Sequence, residues 1–173
     1  MTTVNGLPAH ILLVHAIVVL MPLSALLLVV TALWPAARAR LALPNVILSV
    51  LVVVLVPVTT SAGEWLQGRV PQTALLHDHT ELGDSAIFYA IPIAVLALVV
   101  WWRDREARGT SSRRAWLAPL SAAVTGVVAV LALAAGTAGV YGIYRIGDSG
   151  SKAAWTGNFS ATETVRPDRP RHD

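Results

Sequence analysis

Residues 9–34 read AHILLVHAIVVLMPLSALLLVVTALW, an apolar stretch interrupted only by two histidines, a serine, a threonine and one proline. A helix needs about 20 mostly apolar residues to cross the ~30 Å hydrocarbon core of a bilayer, because each residue rises about 1.5 Å. This stretch is long enough. Three more of the same kind follow, at about 45–66, 84–102 and 116–144. Four such runs in one short chain predict an all-α fold, a polytopic membrane four-helix bundle occupying residues 1–148. The polar remainder, 149–173, is predicted to be a disordered tail.

The composition agrees. Of 173 residues, 55% are hydrophobic and only 13% charged, too few charges for the surface of a soluble domain. The formal net charge of +3 is a topology signal by its placement. Arg38 and Arg40 lie between the first two runs, and Arg103, Arg105, Arg108, Arg113 and Arg114 between the last two. The connection between runs two and three carries only Arg69. Short basic loops stay in the cytoplasm, so loops 35–44 and 103–115 are expected inside the cytoplasmic (inner) membrane, with both termini outside. Nucleic acid is not an expected partner; the lipid bilayer is. The first run has no basic residue before it and exceeds a usual signal-peptide core, so it is expected to persist as a helix. The absence of cysteine excludes disulfides, iron–sulfur clusters and thiolate metal sites.

The chain also repeats itself. Ala16, Ile17, Pro22 and Leu26 recur at constant spacing as Ala86, Ile87, Pro92 and Leu96, and Ala62-Gly63 parallels Ala138-Gly139. This predicts two duplicated helical hairpins around a pseudo-two-fold axis along the membrane normal. Gly126, Gly136, Gly139 and Gly142 give the last helix small residues, which allow close backbone approach in lipid. Such a face suits a tight bundle or a homodimer.

Four of the five histidines fall at one end: His10 and His15 at the start of the first run, His77 and His79 just before the third. Glu64, Asp78, Glu81 and Asp84 share that side. Ionisable groups at membrane depth are costly and usually mark function. His15, His79 and Glu64, one from each element, are the expected metal set, since imidazole and carboxylate suit zinc, iron or manganese. His10, His15 and His79 are the expected set for a haem, whose iron takes two axial histidines. With only Met1 and Met21, a copper(I) site is poorly supplied. No nucleophile–base pair, phosphate loop or H-E-x-x-H pattern occurs, so enzymatic chemistry is not indicated. The function expected is redox or metal handling through this cluster, beside a redox partner protein. The alternative is a cofactor-free scaffold or accessory subunit.

At these residues the chain resembles a family of bacterial membrane proteins, domain of unknown function 2231. Gly6-Leu7-Pro8-Ala9-His10 through His15 resembles that family's "G-x-P-x-H-P-x-x-V-H-x-P" opening, Ala62-Gly63-Glu64-Trp65-Leu66 its "T/A-G-E-x-L", and His79 through Asp84 its "H-x-x-L-G-E". Tyr144 through Lys152 resembles its glycine-rich closing segment. The resemblance implies a four-helix membrane domain with His10, His15, Glu64 and His79 as its polar signature. Some relatives are joined to Rieske-like domains, which implies redox work. This chain departs from the pattern at Ile11, at Ala16-Ile17 and at Thr137, which stands where relatives often carry histidine.

Overall fold

The structure, a computed structural model, describes residues 3–109, 121–160 and 162. Long apolar segments cannot leave backbone amides unpaired in lipid, and they resolve this as helices. The elements are α1 (Ala9–Leu33), α2 (Pro35–Gln67), α3 (Ala74–Asp84), α4 (Ala86–Arg108) and α5 (Ala122–Trp155). Two short strands, β1 (Thr3–Val4) and β2 (Leu7–Pro8), pair antiparallel ahead of them. Asn5 and Gly6 close that hairpin with φ of 50° and 80°, the left-handed conformation for which an Asn-Gly pair is suited.

Four boundaries differ from the sequence reading; one is that α4 runs on to Arg108, so residues 103–108 of the expected loop are helix. Residues 35–44 are not a loop but the first turns of α2, so Trp34 alone separates α1 from α2. Pro35 sits at the start, where a missing amide costs nothing, and the Ala, Arg and Leu residues that follow favour helix. The connection before α4 contains the extra helix α3, opened by Thr73, whose hydroxyl accepts from the Leu76 amide at 3.2 Å. At the other end α5 continues past Asp148 to Trp155. Most of the tail beyond, and the predicted start of the last helix at 116–120, lie outside the described residues.

Within each hairpin α1 packs on α2 and α4 on α5; between hairpins α2 packs on α4 and α1 on α5. Large apolar side chains such as Val19, Leu26, Ile47, Val54, Phe88 and Val130 point outward, the reverse of a soluble protein. Small residues fill the seams instead: Ala86, Ala90, Ala97, Ala132, Gly136, Gly139 and Gly142 are buried. The protein is an all-α membrane bundle of four spanning helices.

The two hairpins bury matching positions. Ile17, Met21, Ser24, Leu28 and Thr31 of α1 correspond at constant spacing to Ala86, Ala90, Ile93, Ala97 and Val100 of α4. Asn45, Ser49, Val52 and Val56 of α2 correspond likewise to Ala132, Gly136, Gly139 and Ile143 of α5. This register is one residue away from the one that aligns Pro22 with Pro92. It also pairs Gly63 with Gly150 rather than with Gly139. Burial, set by which face meets a neighbour, is the firmer guide than proline position.

One polar lock breaks the symmetry. Asn45 is fully buried between α2 and α1. Oriented so that its amide is satisfied, it donates to the Ser24 carbonyl at 3.1 Å and accepts from the Leu28 amide at 3.2 Å. Interhelical hydrogen bonds in membranes contribute about 0.6 kcal/mol on average, and truncation adds a cavity. Asn45→Ala is expected to lower the thermal midpoint in detergent by a few degrees, for a loss of about 1–2 kcal/mol. An unchanged midpoint would mean the lock contributes nothing.

Candidate functional site

His10 lies in the first turn of α1 and His79 near the middle of α3, and folding brings the two imidazoles together. Their ring centroids are 6.4 Å apart, with planes at 71°. Both rings are half-buried. Each rests on a glycine of a following helix: His10 on Gly63 of α2, His79 on Gly150 of α5. A Cβ at Gly63 would stand 3.0 Å from His10 Cε1 and Nδ1, and one at Gly150 would stand 2.9 Å from His79 Cε1. Any larger residue would displace the ring. These seats obey the same register as the buried core, so the histidine pair extends the repeat to the end of the bundle.

The hydrogen bonds engage the same nitrogen, Nδ1, of each ring. His10 Nδ1 lies 2.9 Å from the Thr59 carbonyl oxygen, which can only accept, so Nδ1–H donates. His79 Nδ1 lies 3.0 Å from Ser149 Oγ. That hydroxyl also lies 2.8 Å from the Ile146 carbonyl, and with its hydrogen donated there it accepts from Nδ1–H. With Nδ1 as the donor in each ring, a neutral imidazole presents the lone pair of Nε2. A ring nitrogen held by a hydrogen bond on one side and open on the other is the arrangement found in metal-ligating histidines. Ser149 and Gly150 entered the sequence reading only as part of the closing segment Tyr144 through Lys152, because the last helix was expected to end before them.

The other expected residues are elsewhere. His15 is exposed, and its Nδ1 donates to the Ile11 carbonyl one turn back on α1, at 2.6 Å. The five-residue spacing from His10 turns it roughly 140° around the helix. Glu64 is exposed one residue beyond the Gly63 seat. Arg69 stacks on Trp65 with its guanidinium 3.9 Å from the ring and donates to the Trp65 carbonyl. His77 points outward and pairs with Glu81 at 3.3 Å. Among the described residues no three His, Cys, Asp or Glu side chains are close enough to share one metal ion. His15, Glu64 and His79 are thus not gathered into a single set, whereas His10 and His79 are.

No curated protein and no solved structure matches the chain. A family profile described as "Predicted membrane protein (DUF2231)" matches residues 6–163, which includes all four spanning helices and both members of the histidine pair. The chain belongs to the domain of unknown function 2231 family of predicted membrane proteins.

Proposed function

We propose that His10 and His79 hold one metal centre through their Nε2 atoms, and that the protein carries out redox or metal handling at that end of the membrane. The observation that carries this reading is that both rings are held by hydrogen bonds at Nδ1 while their centroids lie 6.4 Å apart. Two protein nitrogens are too few for a closed zinc site, which takes four ligands. They are the number a haem iron takes on its two axial sides, with the porphyrin supplying the rest. A metal–nitrogen bond of about 2 Å, with about 1 Å more to each ring centre, spans about 6 Å across a metal. The observed 6.4 Å fits that span. A divalent ion completing its shell with water or substrate is the other member of this class.

The basic residues Arg38, Arg40, Arg103, Arg105 and Arg108 all lie at the opposite end of the bundle. By the positive-inside rule that end faces the cytoplasm, so the histidine pair and both termini face outward across a bacterial inner membrane. A redox partner would then dock at the outer end. The cofactor-free scaffold is the second reading, supported by the fact that both Nδ1 atoms already have protein partners.

Full-length protein in mild detergent, without a His tag and washed with chelator, is expected to take up one equivalent of haem or of a divalent ion such as Zn²⁺. Uptake of neither overturns the proposal and leaves the scaffold. Gly63→Ala offers a finer test, since its methyl would tilt His10 off Thr59. It is expected to weaken binding by about tenfold with helical content unchanged, as loss of an orienting contact usually does.

A further inference from the structure

The two imidazoles are carried by parts of the protein that differ in how firmly they are fixed. His10 belongs to α1, a spanning helix, and its Nδ1 is bonded to a main-chain carbonyl of α2, a second spanning helix. A carbonyl inside a helix moves only with the helix. His79 belongs to α3, which at 11 residues is too short to span and buries none of them. Residues 68–73, neither helix nor strand, join α3 to α2, and Ser85 alone joins it to α4. An isolated helix of this length is marginal in water, so α3 depends on what docks it.

Its leucines, Leu75, Leu76 and Leu82, are only partly buried, and its polar side chains bond mainly within its own segment. Thr80 Oγ1 donates to the His77 carbonyl at 2.8 Å, and His77 pairs with Glu81. At the corner, Ser85 Oγ donates to the Leu82 carbonyl at 2.6 Å. Among the described residues, the one side-chain hydrogen bond from α3 to another helix is that of His79 with Ser149 of α5, at 3.0 Å. Ser149 Oγ is anchored in its own helix, 2.8 Å from the Ile146 carbonyl, and Gly150 beside it leaves the space that the ring fills. His79 is thus both a member of the pair and the peg that holds α3 on α5. Segments with few buried contacts open locally at low free energy, and elements that must move for a ligand are drawn from them. When α3 lifts, His79 goes with it and His10 stays.

We propose that Ser149 is a positioning residue that latches α3, making His79 the exchangeable ligand of the centre and His10 the fixed one. The inference rests on the metal centre proposed above and deepens it. The ion enters and leaves from the water beyond that end of the bundle through transient release of α3, which suits metal handling rather than a resident haem. A bound ion adds a second link across the same gap and holds α3 down. The test is amide hydrogen exchange, read by mass spectrometry, on full-length protein in detergent with and without one equivalent of Zn²⁺. Without metal, Ser149→Ala is expected to speed exchange in residues 74–84 about tenfold, as loss of one orienting contact does, with α1 and α2 unchanged. Ser149→Thr, which keeps the hydroxyl, should exchange like the wild type. Zn²⁺ should slow the same residues of the wild type about tenfold, and Ser149→Ala should release Zn²⁺ to a chelator about tenfold faster. Unaltered α3 exchange in metal-free Ser149→Ala overturns the latch. So does equal acceleration along α1 and α4, the mark of a general loss of stability. Release of Zn²⁺ at the wild-type rate overturns the assignment of His79 as the exchangeable ligand. If the wild type takes up no Zn²⁺, the metal centre falls and the exchangeable ligand with it, while the metal-free comparison still decides whether Ser149 latches α3.

Discussion

His79→Ala is expected to weaken binding of the metal centre by about 100-fold or more while leaving the helical circular dichroism unchanged. Loss of a residue that merely orients a ligand already costs 10–100-fold, and His79 is one of only two proposed ligands. The fold should tolerate the change. α3 buries no residue, and Ser149 keeps its bond to the Ile146 carbonyl when the imidazole is gone. No buried polar atom is orphaned. His10→Ala should show the same loss, and the double variant should be little worse than either, as expected of two groups that act as one site. His15→Ala, remote and exposed, should bind within about twofold of wild type, a surface change of under 0.5 kcal/mol. Titration of the four proteins with haem and with Zn²⁺ checks this. Equal loss in His15→Ala would move the site back to the wider cluster.

The second large effect concerns the bundle itself. At Gly142 an added Cβ would lie 2.5 Å from Tyr89 Cε2 and 2.7 Å from Cδ2 and Cζ. The obstacle is a partly buried ring packed against the core cluster that α1, α2, α4 and α5 share, so moving it disturbs that packing. Gly142→Ala must force α4 from α5 or drive Tyr89 off its rotamer. Overpacking of this kind costs about 1–3 kcal/mol, several degrees in thermal midpoint for a small domain. Gly139→Ala meets Ile93 Cδ1 at 2.7 Å, the far end of a flexible chain, and should cost less. Gly126→Ala meets nothing within 4 Å and should be neutral or slightly stabilising, since alanine favours helix. Thermal unfolding in detergent should rank the three in that order. A Gly142→Ala variant as stable as wild type would show that α4 and α5 do not pack this closely.

The spanning helices were legible in the sequence because their signal is crude: length and apolarity suffice, and lipid leaves no alternative to a helix. The hairpin of residues 3–8 was also written there, in Asn5-Gly6, although apolar runs draw attention away from it. α3 was hidden by polarity. It buries nothing and owes its existence to the Thr73 cap and to docking on α5, neither of which has a hydropathy signature. The site was half legible. Clustering at one end pointed to His10, His15, Glu64 and His79 together, but clustering along the chain does not show which side chains converge. His15 shares a helix with His10 yet faces away from it, and Glu64 follows Gly63 yet points outward. The repeat was seen in the wrong register, because aligned prolines are conspicuous while burial depends on a neighbour not visible in one strand of text. Had Gly150 been set against Gly63, the two glycine seats would have named the histidine pair.

The most direct test of the central claim is nitrogen NMR of protein labelled with ¹⁵N-histidine, recorded before and after adding one equivalent of Zn²⁺ or haem. Of five histidines, three (His10, His15 and His79) are predicted to show protonated Nδ1 in the metal-free protein, and only His10 and His79 are predicted then to show a shift or loss of the Nε2 signal. Their assignment by His10→Ala and His79→Ala should remove one each. Perturbation of His15 or His77 instead, or of none, would contradict a metal centre held between His10 and His79.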